Sequence, residues 1–215
     1  MNFDVNGLFN PENRFWSFME KLMNLCVAGL LWFLFSLPLI TVGAATTALF
    51  GYTLKLARNE EGYLWKGFWK GFKENFVTST LLWLGVVGAG VFLGVDLFAC
   101  QFLPMGGAVR WGARTLLASL IFVYFLTIIY LFPLVAAFRI SLKKAVRDAL
   151  LMGVGNLYVS VTVLVIYGIF GVVTWFFPVL FMVWFALAAY FSSHLLYSVF
   201  MRYLPEGDEL DKEGW

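Results

Sequence analysis

Charge is scarce in this sequence. Only 13 % of its 215 residues are Asp, Glu, Lys or Arg, where soluble domains carry about 25 %. Hydrophobic residues make up 61 %, and the mean hydropathy is +0.83. A soluble globule of this length has too little interior to hide that much apolar surface. An ordinary cytosolic domain and a disordered chain are therefore excluded. A net charge of +2 supplies no basic face for nucleic acid, so no nucleic-acid partner is expected. Histidine occurs once, at His194, and cysteine twice, at Cys26 and Cys100. Neither a second His nor a nearby Cys stands at metal-ligand spacing from His194, so no metal or cofactor is expected. A Ser-His-acid triad would have to use Ser192 or Ser193, and adjacent residues on a helix point to different faces. There is no Walker loop: Gly88-Ala89-Gly90 sits inside an apolar run, with no phosphate site to open. No catalytic residue emerges, and no enzyme is expected. The two cysteines lie in apolar runs placed toward opposite faces, too far apart to bridge, and read as packing residues.

What the sequence does have is long uncharged stretches. Residues 22–54 contain no Asp, Glu, Lys or Arg. As one helix they would reach about 50 Å, well past a bilayer core of about 30 Å. The run must fold back, and Pro38 and Gly43 mark the break. Residues 75–109 carry one charge, Asp96, read as an interfacial acid near the outer end of its span. Residues 115–138 and 149–201 carry none, and Trp175-Phe176-Phe177-Pro178 divides the latter. The expectation is an all-α, polytopic membrane bundle of about six spans, near 17–37, 40–57, 75–99, 114–138, 157–175 and 178–201. The count falls to five if residues 40–57 are re-entrant. No removable signal peptide is visible, and the first apolar helix should stay as an anchor. Residues 1–204 form one transmembrane domain, followed by an acidic tail, 205–215.

The cations orient this scheme. With the amino terminus inside, thirteen of the 15 Lys and Arg residues fall on the cytoplasmic side, and only Arg110 and Arg114 fall outside. That asymmetry predicts cytoplasmic termini at both ends. Two cytoplasmic segments, about 63–74 and 140–152, read as basic amphipathic helices lying in the membrane interface. In the first, Trp65, Phe68, Trp69, Phe72 and Phe76 share a face, with Lys66, Lys70 and Lys73 elsewhere. In the second, Ala145, Val146 and Ala149 oppose Lys143, Lys144 and Arg147.

The halves of the chain also align without gaps at an offset of 81. Leu39, Ile40, Val42, Thr46, Arg58, Asn75, Ser79 and Gly90 recur as Leu120, Ile121, Val123, Thr127, Arg139, Asn156, Ser160 and Gly171. Polar matches carry weight where polar residues are rare, so a parallel repeat of span, amphipathic helix and span is expected. Gly43-x-x-x-Thr47-x-x-x-Gly51 and Gly90-x-x-x-Gly94 are small-residue stripes that let helix backbones approach closely. His194 is expected to hydrogen-bond to another helix. The polar side chains gathered in residues 41–75 are candidates for contact with a partner or solute: Thr41, Thr46, Thr47, Arg58, Glu60, Glu61, Lys73 and Asn75.

Residues Leu37-Pro38-Leu39-Ile40-Thr41-Val42-Gly43-Ala44-Ala45-Thr46-Thr47-Ala48-Leu49, Lys55 to Tyr63 and Phe68 to Phe76 resemble the YesL family, also called the DUF624 family. The opening Leu8-Phe9-Asn10-Pro11-Glu12-Asn13 fits too. The resemblance implies a bacterial plasma-membrane protein, often encoded near carbohydrate ABC importers and two-component sensors, with no assigned biochemical activity. It transfers no catalytic residue. The function expected is a non-enzymatic accessory or regulatory component of carbohydrate uptake, with an importer permease or a membrane sensor kinase as partner. The alternative is a small-solute or oligosaccharide channel or transporter. Ala145-Val146-Arg147-Asp148-Ala149-x-x-x-Gly153 is faintly similar to the coupling loop of importer permeases, without that loop's acidic start.

Overall fold

A computed structural model describes residues 14–58, 60, 63–102, 106–138 and 140–203. Among these there is no strand. The helices are α1 (Arg14–Ser36), α2 (Val42–Ala57), α3 (Leu64–Phe102), α4 (Gly107–Phe138), α5 (Leu142–Gly155), α6 (Leu157–Phe176) and α7 (Phe181–Tyr203). Short 3-10 turns, Leu39–Thr41 and Pro178–Leu180, precede α2 and α7. Six helices are long and apolar enough to cross a membrane. The chain is a multi-pass, all-α membrane protein.

The two proline breaks lie where expected. Pro38 ends the α1 run, and the Thr41 hydroxyl donates to the carbonyls of Phe35 and Pro38. This satisfies acceptors that the end of a helix leaves open. The Trp83 indole donates to the Leu39 carbonyl at 2.9 Å, pinning the same turn to α3.

Helix α2 is the centre of the bundle, contacting α1, α3, α4 and α7. Its Ala44, Ala45, Ala48 and Leu49 are fully buried. Small side chains explain how one short helix meets so many neighbours. A Cβ added at Gly43 would run into the Ser79 carbonyl of α3, and one at Gly29 of α1 into the Met182 carbonyl of α7. Contacts this close need glycine, and they gain dispersion energy over a long backbone face. At Gly51 the same stripe meets nothing within 4 Å, so only its first half packs. In the second stripe, Gly90 packs against Tyr124, whose hydroxyl donates to the Val86 carbonyl at 2.9 Å, whereas Gly94 is open. Aromatic rings fill the remaining gaps: Trp32 stacks on Phe185 at 4.0 Å, and Phe35 meets Phe72 at 5.0 Å.

Two differences from the sequence reading concern the amphipathic segments. Residues 63–74 and 75–99 do not separate, because α3 runs unbroken for 39 residues, about 58 Å. No proline or strong stop lies between them. Phe68, Phe72, Asn75, Ser79 and Leu82 are buried at helical spacing. That inner face crosses the expected boundary, and only Trp65, Trp69 and Phe76 of the aromatic set stay exposed. Residues 140–152 do form a helix of their own, α5, but it folds back along the second half of α4. Ala145, Ala149 and Gly153 are buried, and a Cβ on Gly153 would stand 2.9 Å from the Leu126 carbonyl. The coupling-loop-like spacing thus serves close helix packing. Lys143, Lys144 and Arg147 face outward.

A few contacts recur at the 81-residue offset. Ala57 and Phe138, which end α2 and α4, are equivalent positions. Asn75 donates to the Gly71 carbonyl and Asn156 to the equivalent Met152 carbonyl, each at 3.2 Å. Ser79 bonds across to Thr47 of α2, and Ser160 to Tyr130 of α4. The amphipathic segments of the two units sit differently: α3 passes straight through Asn75, whereas α5 ends at Asn156, where φ is −121° and ψ is 54°.

Candidate functional site

The sequence candidates divide into two groups. Thr41, Thr46, Thr47 and Asn75 lie in the turn or the interior, and each has a hydrogen-bond partner within the bundle. The Trp32 indole donates to Thr46 at 3.0 Å. The Thr47 and Ser79 hydroxyls share a bond of 2.8 Å, and Thr47 also lies 3.0 Å from the Gly43 carbonyl. Farther along α2, Thr53 and Ser193 of α7 pair at 2.8 Å. A buried hydroxyl without a partner costs about 1–3 kcal/mol. Thr46, Thr47 and Thr53 therefore fasten helices to one another, whereas Thr41 bonds to the carbonyls of its own turn and Asn75 to the Gly71 carbonyl of its own helix.

The second group stands at the end of the bundle where α2 gives way to α3. Arg58 ends α2, its amide bonded to the carbonyls of Leu54 and Lys55. Its guanidinium lies 3.9 Å from the Glu60 carboxylate and 5.2 Å from the centre of the Tyr197 ring of α7. Glu60 is about half exposed, so that ion pair contributes under about 1 kcal/mol. Lys73 sits over the Trp69 ring at 4.9 Å and faces outward. Glu61 lies outside the described residues.

Beside Arg58 opens a groove of about 410 Å³ between the end of α2 and the start of α3. Tyr52, Lys55, Glu60, Tyr63, Lys66 and Lys70 line it. Sequence reasoning missed the three lysines as a group, reading all three as topology signals and Lys66 and Lys70 also as the polar side of an interfacial helix. A readable sign existed: Lys66 and Lys70 are four apart on one helix, and Lys55 sits near the end of the preceding antiparallel helix.

A second groove, also about 410 Å³, lies between α6 and α7. Its walls are apolar, from Ile166, Ile169, Phe170, Phe191 and Leu195, and the one polar side chain in it is His194. The expected interhelical hydrogen bond of His194 is not formed among the described residues. The imidazole instead meets Tyr190 of its own helix edge-on at 4.9 Å and is exposed. The reason lies in register: Ser192 and Ser193, its neighbours, take the buried face of α7.

Comparison with known proteins adds a family. Residues 25–97 match the family model described as "Protein of unknown function, DUF624". Over 196 residues the chain is 27 % identical to "Uncharacterized protein YesL" of Bacillus subtilis (strain 168), covering 89 % of this chain and 87 % of that one. No solved structure matches. The matched residues 25–97 take in α2, both the turn and the groove that flank it, and most of α3. Over residues 25–97 the chain is thus similar to the DUF624 family.

Proposed function

We propose that this protein is a non-enzymatic accessory subunit of the bacterial plasma membrane, with both termini cytoplasmic, that pairs with a larger membrane protein of carbohydrate uptake. The partner would be an ABC importer permease or a sensor kinase. The observation that carries the reading is His194, a hydrogen-bonding side chain presented on an apolar groove along α7, a helix long and apolar enough to cross a membrane. Polar groups on such a helix are costly when they face lipid and favour a polar partner from another helix. The interior supports the same reading, because Thr47 pairs with Ser79 and Thr53 with Ser193 inside the bundle. The link to carbohydrate uptake rests on the family resemblance, and the orientation rests on the distribution of Lys and Arg.

Photo-crosslinking tests it. A photoreactive residue placed at Ile169 or Phe191, both in the groove, should trap a permease or kinase in native membranes. His194→Leu should weaken that product. Adducts to lipid alone, unchanged by His194→Leu, would overturn the proposal. The paired contacts at the 81-residue offset favour a second reading, a transporter in its own right, since internal repeats often frame a transport site. Flux of a sugar into proteoliposomes holding only this chain would decide for it.

A further inference from the structure

We propose that the groove between the end of α2 and the start of α3 is a binding site for a phosphate-bearing anion, either the headgroup of an acidic phospholipid or a soluble phosphate. This goes beyond the accessory reading and does not depend on it. The groove holds about 410 Å³, inside the range of about 300–1,000 Å³ typical of small-ligand sites. Lys55, Lys66 and Lys70 line it from two helices, with Glu60 the one carboxylate among its described lining residues. Glu60 faces Arg58 at 3.9 Å and also interacts with Lys55, and the described lining still holds more positive than negative side chains. Like charges four apart on a helix repel, and Lys66 and Lys70 are so placed. An anion between them relieves that repulsion. The start of α3 adds the positive end of a helix dipole, with no acidic residue in its first turn to neutralise it. Tyr52 and Tyr63 add hydroxyl groups to the walls. Basic pockets of this kind between membrane helices suit lipid headgroups.

The repeat supplies an internal control. At the offset of 81, Lys55 corresponds to Ala136, Lys70 to Leu151 and Tyr52 to Pro133, whereas Lys66 corresponds to Arg147 and Tyr63 to Lys144. The second hairpin builds the same helix pairing without the first three, so the fold does not require them. Gly51 and Gly67 line the same groove, and a Cβ on either would meet nothing within 4 Å. These glycines are not forced by packing; they keep the space open. Their counterparts are Phe132 and Asp148, side chains that would fill it.

The test uses the full chain in uncharged detergent micelles, followed by thermal unfolding. Phosphatidylglycerol is titrated against phosphatidylcholine, and inorganic phosphate against chloride at equal ionic strength. Saturable stabilisation by phosphatidylglycerol alone assigns a lipid headgroup. Stabilisation by inorganic phosphate without lipid assigns a soluble phosphate. The double variant K66Q/K70Q should weaken the apparent affinity about fivefold for each lysine removed. Gly51→Leu should abolish the effect by filling the groove while leaving every charge in place. K143Q/K144Q, which removes the same charge from the exposed face of α5, should leave it intact. The proposal is overturned if neither probe stabilises the chain. It is equally overturned if K66Q/K70Q and Gly51→Leu respond like the wild type, or if K143Q/K144Q loses as much as K66Q/K70Q.

Discussion

Two glycines eight residues apart on one helix should respond in opposite directions to the same substitution. Gly43 and Gly51 both belong to α2 and to one small-residue stripe. A Cβ at Gly43 would overlap the Ser79 carbonyl and stand 2.6 Å from the Trp83 Cβ. Neither is the free end of a flexible side chain, so α3 as a whole must move. Displacing it also stretches the Thr47–Ser79 bond and the Trp83–Leu39 bond, which lie at the same crossing. Overpacking of this kind costs about 1–3 kcal/mol. At Gly51 the added methyl meets nothing within 4 Å, and alanine in a helix is favoured over glycine by about 0.5–1 kcal/mol. The two variants should therefore differ in stability by about 1.5–4 kcal/mol, with Gly43→Ala below the wild type and Gly51→Ala at or above it. Reversible unfolding in mixed micelles titrated with dodecyl sulfate measures both. If Gly43→Ala proves as stable as the wild type, or if both variants lose equally, then α2 and α3 do not meet backbone to backbone at Gly43.

Two further outcomes follow from the interior pairs and the charge distribution. In a double-mutant cycle with Thr53→Val and Ser193→Ala, the same unfolding assay should return a coupling of about 0.6 to 1.7 kcal/mol; strict additivity would mean that the 2.8 Å contact contributes nothing. In a chain whose Cys26 and Cys100 are both replaced by Ala, Lys144→Cys should react with a membrane-impermeant maleimide only after the cells are opened, and labelling of intact cells would invert the proposed orientation.

The spans were legible because membrane helices are written in the absence of charge, and their ends in proline. Pro38 and Pro178 break the chain beside the 3-10 turns that the structure places there. The continuity of α3 was not legible. Lys66, Lys70 and Lys73 made residues 63–74 look like a surface helix. Lysine stems can cover apolar surface while their charges reach water, so the same residues fit the exposed face of a longer helix. Polarity also misled the choice of site. Thr46, Thr47 and Asn75 stood out because polar residues are rare in this chain, but within a membrane bundle such groups first satisfy each other. Which group pairs with which depends on contacts as distant as Thr53 with Ser193, 140 residues apart. The groove lysines needed something else again: the register of the α2–α3 hairpin, which alone brings Lys55 opposite Lys66 and Lys70.

The repeat gives these details an order. The parts shared by the two units are the ones that hold helices together: the asparagine bonded one turn back, and the serine bonded across to the preceding helix. The parts that differ are where ligands or partners could be received. In the first unit, α3 continues straight through Asn75 and stays beside α2, and its amino-terminal end carries the lysine groove. In the second unit the helix ends at Asn156, and α6 packs chiefly against α7. That break places α6 where it forms a groove with α7 around His194. One helical hairpin, used twice, thus leaves a cationic groove at the end of the bundle and an apolar groove along its side. Divergence at the Asn75/Asn156 joint accompanies the two surfaces, while a serine at one equivalent position, Ser79 or Ser160, bonds across to α2 or α4 with a different partner in each hairpin.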